Sequence, residues 1–370
     1  MKNHGPALRG AGDLVAAGLA AESERDALER VSRSYAIGLT ETVAGLIDRA
    51  DPHDPIARQF LPDLAELKVS PHERVDPVGD DAFSPVDGIV HRYPDRVLLK
   101  FLHHCPVYCR FCFRRETVGP GAPAFLSPAA LDAAFAYVAD HPEIWEAILT
   151  GGDPLMLSPR RLDDIMMRLS TIDHVKIVRL HTRVPAVDPD AVTDQLAASL
   201  RASGKTVYLA LHANHPRELS PRARAACARL IDAGIPMLSQ TVLLAGVNDD
   251  AETLAALMRG FVEARIKPYY LHQLDLAPGT AHFRVPIARG QELIRQLRGR
   301  LSGLCQPTYM LDLPGGLGKT PIGPNYLTES AREGFFRIED YRGATHLYPP
   351  QDPAPDLRAD ARIASQRRKS

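Results

Sequence analysis

Between about residue 90 and residue 271, short apolar, β-branched runs alternate with amphipathic helical stretches. That alternation constrains the fold more than any other feature of the chain. The runs fall at 97–102, 147–149, 175–180, 207–211, 237–244 and 269–271. Apolar residues at helical spacing occupy 131–139, 161–169, 191–200, 221–233 and 253–264. Parallel strands need long crossovers, which helices supply, so the pattern predicts parallel βαβ units. Six units fit an α/β fold, a partial (β/α)6 barrel, which is an open relative of the (β/α)8 barrel. Ser127-Pro128 and Ser158-Pro159 mark helix starts, a cap followed by proline in the first turn. In barrels of this kind chemistry sits at the C-terminal ends of the strands.

The first run leads straight into the densest chemistry of the sequence. Cys105, Cys109 and Cys112 form C-x3-C-x2-C, three of only five cysteines within eight residues. Thiolates suit zinc, copper(I) and iron–sulfur clusters. Structural zinc sites want four protein ligands, so three is an odd number for zinc unless His103 or His104 joins them. Three thiolates suit a cubane of four irons with one open iron. A chance group of buried thiols is the bland alternative. The spacing resembles the signature of radical S-adenosylmethionine enzymes, in which the open iron chelates S-adenosylmethionine. Cys227 and Cys305 stand alone and read as small buried side chains.

A net charge of −1 gives no electrostatic case for nucleic acid or an anionic membrane. No apolar run approaches the roughly 20 residues of a membrane helix, and no signal peptide is expected. Clustered thiols without a disulfide pattern point to a reducing cytoplasm. The organisation expected is a helical N-terminal extension over 1–85, a barrel core over 86–305, a lysine loop and C-terminal segment over 306–347, and a loose tail over 348–370.

Two further motifs follow strand positions or glycines. Thr150-Gly151-Gly152-Asp153-Pro154 follows the second run, where glycines let backbone approach a ligand closely. A structural tight turn, with Asp153 as its cap, reads the same letters. Pro314-Gly315-Gly316-Leu317-Gly318-Lys319-Thr320-Pro321 presents a lysine from a glycine-rich loop. Pro321 blocks the helix that a phosphate-cradling P-loop needs, which leaves a lysine offered to a carbonyl, or a solvated lysine.

Taken together, these motifs resemble the lysine 2,3-aminomutase family. The resemblance also covers 54–59, 92–98, 105–119, 240–249, 269–276, 282–284 and 312–326. It implies a [4Fe–4S] cluster on Cys105, Cys109 and Cys112, with S-adenosylmethionine and pyridoxal 5′-phosphate as further cofactors. It implies Lys319 as the Schiff-base lysine, Arg114 as the partner of the substrate α-carboxylate, and Asp275 and Asp312 as partners of a lysine side-chain ammonium. Arg92 and Arg96 match arginines near pyridoxal phosphate. Gly151, Gly152 and Asp153 match a turn that meets the methionine ammonium, and His212 and Gln240 match positions near S-adenosylmethionine. The activity implied is transfer of the amino group of L-lysine from C2 to C3. A β-lysine-forming enzyme of the elongation factor P pathway, glutamate 2,3-aminomutase, and a non-catalytic iron–sulfur or zinc protein are the other readings. An electron donor such as flavodoxin or ferredoxin is implied. Family members carry an intersubunit zinc site, but here Asp250 stands where they have a cysteine and no cysteine follows Cys305. A homo-oligomer therefore needs other contacts.

Overall fold

The computed structural model describes residues 7–119 and 124–349. Two compact units divide the chain, Met1–Gly323 and Pro324–Ser370. The expected loose tail lies outside the described residues from 350 onward.

In the first unit nine strands pair in chain order. They are β1 (Ile89–Tyr93), β2 (Arg96–Leu102), β3 (Glu146–Gly151), β4 (Ile177–Thr182), β5 (Thr206–His212), β6 (Met237–Val242), β7 (Ile266–His272), β8 (Thr308–Leu313) and β9 (Gly318–Pro321). The β1–β2 and β8–β9 pairs are antiparallel, and β2 through β8 run parallel. The crossovers carry helices Pro128–Ala139, Pro159–Ser170, Asp194–Arg201, Pro221–Asp232, Ala251–Glu263 and Ile287–Leu297. This is the expected α/β partial barrel, six strand–helix units with β8 ending the parallel run. The sheet continues past residue 305, where the sequence rhythm had faded, and β8 and β9 were not anticipated as strands.

Alternation along each strand divides core from cavity. In β2, Val97, Leu99 and Phe101 are each 1% exposed and pack into the main apolar core, where Phe101 lies 5.5 Å from Phe135 of the first crossover helix, centroid to centroid. Leu98, one position off this register, lines the cavity. Ser127 and Ser158 cap their helices by accepting from the N–H groups of Ala130 and Arg161. Asp250 does the same for Thr253, at 2.8 Å.

Ahead of the sheet, short helices Ala11–Ala16, Arg25–Ser32, Glu41–Leu46 and Pro55–Phe60 add Leu14, Leu28, Val43 and Phe60 to the main apolar core. A buried ionic group fastens this region to the cysteine loop. Glu66 accepts from Arg110 Nε at 3.0 Å and also from Arg115. The second unit holds a three-stranded antiparallel sheet, Leu327–Glu329, Phe336–Glu339 and Thr345–Tyr348. Among the described residues no helix is long and apolar enough to cross a membrane.

Candidate active site

All fourteen residues singled out in the sequence line one cavity of about 500 Å³ inside the first unit. Most reach it from the C-terminal halves of the strands and the loops just beyond, while Arg96 opens β2 and Lys319 stands in the first half of β9.

Cys105, Cys109 and Cys112 lie on the loop after β2. A turn shapes it, with Cys112 N–H donating to Cys109 O at 3.1 Å. Burial pushes the thiols up: Cys105 well above its ordinary value, with the Asp153 charge adding to the effect, and Cys112 to about 11. Cys109 is also raised by burial, but the Arg183 cation opposes it. Metal ligation of such thiols is coupled to proton release. Among the described residues no three His, Cys, Asp or Glu side chains converge as ligands of a single ion do.

The Gly151-Gly152 turn approaches the chain itself. A Cβ on Gly152 would lie 2.3 Å from His104 O, and one on Gly151, whose φ is +108°, would lie 2.7 Å from Leu102 O. Glycine is thus needed here to seat the β3 loop against the cysteine loop. Asp153 has both carboxylate oxygens engaged. One accepts from Leu155 N–H at 3.1 Å and Thr182 Oγ1 at 2.6 Å, the other from Arg183 N–H at 2.7 Å. The side chain is a buried cap that joins β3 to β4, the structural alternative that the sequence offered.

On the opposite side, β8 and β9 bring Asp312 and Lys319 face to face as register partners. Lys319 Nζ pairs with Asp312, and His272 Nδ1 lies 3.7 Å from the same carboxylate. Burial favours the acid form of Asp312, but the His272 hydrogen bond and the Lys319 ammonium outweigh it and hold the carboxyl well below its usual range. Asp275 is pushed the other way, up to about 7, by burial and then by the Asp312 charge. The backbone N–H of Lys319 donates to Tyr93 Oη at 2.6 Å. The Arg96 guanidinium lies 3.7 Å from the Tyr93 ring centroid and bonds Asp95 at 2.7 Å.

Asp80 joins several cations at the cavity wall, a role that no motif of the sequence marks. Its carboxylate takes Arg92 and Arg114, each at 3.0 Å, with Lys100 at 3.7 Å. Burial opposes its ionisation, and Arg114 and Lys100 overcome it, so Asp80 stays below its ordinary value. Asp80 sits among turn residues, and only the fold brings it to positions 92, 100 and 114. Arg114 is anchored further on Thr150 Oγ1 at 3.2 Å. Three cavity histidines, His181, His212 and His272, are held neutral by burial in the first place. Gln240 Nε2 lies 3.3 Å from His272 Nε2. The Nε2 atoms of His181 and His212 and the Nε atoms of Arg92 and Arg114 are buried without partners. Such groups cost free energy unless a ligand meets them.

These residues fit the three implied groups. The thiols suit an iron–sulfur cluster. His212 and Gln240 suit a polar ligand beside the cysteine loop. Lys319 with Arg92 and Arg96 suits an aldehyde that bears a phosphate.

Comparison with known proteins agrees with this arrangement. Residues 99–258 match the radical SAM superfamily, and residues 294–367 match the lysine-2,3-aminomutase C-terminal family. An L-lysine 2,3-aminomutase of Acetoanaerobium sticklandii is 39% identical over 89% of this chain and 79% of its own length. One of Clostridium subterminale is 39% identical over 88% and 78%. A glutamate 2,3-aminomutase of Clostridioides difficile is 33% identical over 91% and 79%. With its cysteine loop, its lysine strand and this breadth of similarity, the chain belongs to the lysine 2,3-aminomutase family of radical S-adenosylmethionine enzymes.

Proposed function

We propose that this protein is an isomerase that moves the amino group of L-lysine from C2 to C3, giving β-lysine. The observation that carries the reading is the pairing of a primary ammonium with Asp312 in the cavity, beside a second acid, Asp275. Two carboxylates in one enclosed site repel unless a cation lies between them. The side-chain ammonium of lysine meets that need, whereas the side chain of glutamate adds a third negative charge. Arg114 offers a planar donor pair for the α-carboxylate, held in direction by Thr150 and Asp80.

When bound, the cluster with S-adenosylmethionine supplies a carbon radical able to take hydrogen from an unactivated C–H bond, and pyridoxal phosphate supplies the carbonyl that carries the migrating nitrogen. The chain's part is to hold and orient. Cys105, Cys109 and Cys112 hold the cluster. His212, Gln240 and the backbone of the Gly151–Gly152 turn, seated by the Asp153 cap, would border S-adenosylmethionine. Lys319 would hold pyridoxal phosphate, with Arg92 and Arg96 as the cations for its phosphate. Placing the chemistry in a cavity inside the first unit would limit the water that reaches a radical, which must not be quenched. The reading includes a one-electron donor of flavodoxin or ferredoxin type, a reducing cytoplasm for five free thiols, and an oligomer, where one forms, that does not use the family's zinc.

The test is turnover by the anaerobically reconstituted chain with lysine, glutamate, alanine and arginine, each offered alone. β-Lysine as the main product is the expected outcome. Preference for glutamate overturns the substrate assignment.

A further inference from the structure

We infer that Arg183 is a positioning residue for the cluster: its guanidinium donates to the sulfur of Cys109 and raises the potential at which the cluster accepts an electron. The inference rests on Cys109 as a cluster ligand.

Arg183 stands directly after β4. Its Nη1 lies 3.0 Å from Cys109 Sγ. The side chain is 6% exposed, and its guanidinium carbon lies 4.8 Å from the Phe60 ring centroid and 5.6 Å from that of Phe111. Nη2 donates to Gln59 Oε1 at 3.2 Å and to Glu218. Glu218 is itself fixed by the N–H groups of Asn214 and His215, at 2.8 and 3.0 Å, and by Gln59 Nε2 at 3.2 Å. At the other end of the residue, the Arg183 N–H is held by Asp153. Backbone, ring contacts and fork are all fixed, so the group is aimed at one sulfur with little freedom to turn away.

The three sulfurs are not treated alike. Among the described residues, a charged side-chain donor lies within hydrogen-bond distance of Cys109 alone, whereas Cys112 feels the Arg114 and Arg115 cations only through their charge. Cys109 receives a full positive charge. Adding an electron to a cluster adds negative charge, part of which spreads onto the thiolate sulfurs. A charged donor against sulfur, in a site of low dielectric, therefore stabilises the reduced state. Glu218 opposes this, but it touches the other terminal nitrogen, so the sulfur faces the cation first. Aminomutase turnover needs an electron to enter the cluster from a cellular donor, and Arg183 brings the cluster within easier reach of it.

The test is a redox titration of the reconstituted cluster followed by electron paramagnetic resonance, without S-adenosylmethionine or lysine. It compares wild type, Arg183→Gln, Arg183→Lys, and Arg183→Gln combined with Glu218→Gln. The double variant removes a buried pair together and so avoids a lone buried carboxylate. At the wild-type midpoint, Arg183→Gln is expected to lower the reduced-to-oxidised ratio about tenfold, a fall of about 59 mV for one electron. The double variant moves the same way by less, because both charges leave, and Arg183→Lys recovers part of the loss. If the single variant does not fold, the double variant decides. Wild-type iron content with an unmoved midpoint in the variants overturns the Arg183 role and leaves the cluster reading intact. A Cys109→Ala variant that keeps a full cluster overturns the ligand reading, and the Arg183 role with it.

Discussion

The two ends of the cavity handle charge in opposite ways. At the cysteine end, burial raises the proton affinity of all three thiols, so as the proposed cluster ligands they would bind only as protons leave. At the lysine end, Asp312 and Lys319 already form an ion pair, and the charge is present before any ligand arrives. One end depends on assembly and the other is preorganised. Metal ligands at this depth gain from being neutral until iron binds. Recognition of a charged side chain gains from a field already in place.

The largest effect that sharpens this contrast is removal of a thiol. Each of Cys105→Ala, Cys109→Ala and Cys112→Ala is expected to abolish the cluster signal and turnover. Pyridoxal phosphate should still bind at Lys319, as seen by its visible absorbance. If the absorbance disappears with the iron, the two ends are not independent.

Next is Lys319→Ala. Turnover should fall by several orders of magnitude, while iron content stays at the wild-type level. After borohydride reduction, peptide mapping should find the pyridoxal label on the Lys319 peptide of wild type and nowhere in the variant. Label on another lysine removes the assignment.

The two acids come third. Asp275→Asn and Asp312→Asn should each lower kcat/KM for lysine about ten- to hundredfold, the cost of leaving a desolvated charge unpaired. Asp275 also predicts a pH effect. Its folded value, about 7, is above the ordinary carboxylate value. The stability gained from its protonated form is therefore fully present below that ordinary value and is lost as the pH rises through about 7. Asp275→Asn should raise Tm relative to wild type at pH 8, and the gap should narrow at pH 5 and close only below the ordinary carboxylate value. Lysine binding needs the carboxylate, so affinity should weaken by up to about tenfold per unit as the pH falls below 7. Calorimetry in buffers of different ionisation heat reads the released proton; a released proton marks Asp275 as the acid of the lysine end that is not charged in advance, and a flat profile in wild type overturns its raised value.

The smallest effect is Tyr93→Phe. It removes the hydroxyl that accepts the Lys319 N–H, a loss of about 1 kcal/mol. Urea unfolding should show it with little change in iron content.

What the sequence disclosed follows the same division. The barrel was legible because six strands bury one face against helices and so must be apolar there, as Val97, Leu99 and Phe101 are. The cysteine spacing was legible because its three residues lie close together in the sequence. β9 was not, since Gly318-Lys319-Thr320-Pro321 is an edge strand with three of four residues exposed and a proline at its end. No periodicity marks such a strand. Asp80 and Arg183 act through partners far away in sequence, and only the fold joins position 183 to 109 or 80 to 114. Asp153 shows the converse: its letters allowed two roles, and the hydrogen bonds of both oxygens describe a cap.

The hairpin of β8 and β9 also sets a rule for how this chain can change its length. Asp312 meets Lys319 because Leu313 pairs with Gly318 across a turn of four residues, 314–317. Neighbouring strand residues point to opposite faces, so a hairpin that loses or gains one residue in this turn presents Lys319 to the wrong side. Two residues lost or gained keep the face and shift only the partner. Insertions and deletions in this short loop are thus filtered by parity, whereas point substitutions at exposed Leu317 are not.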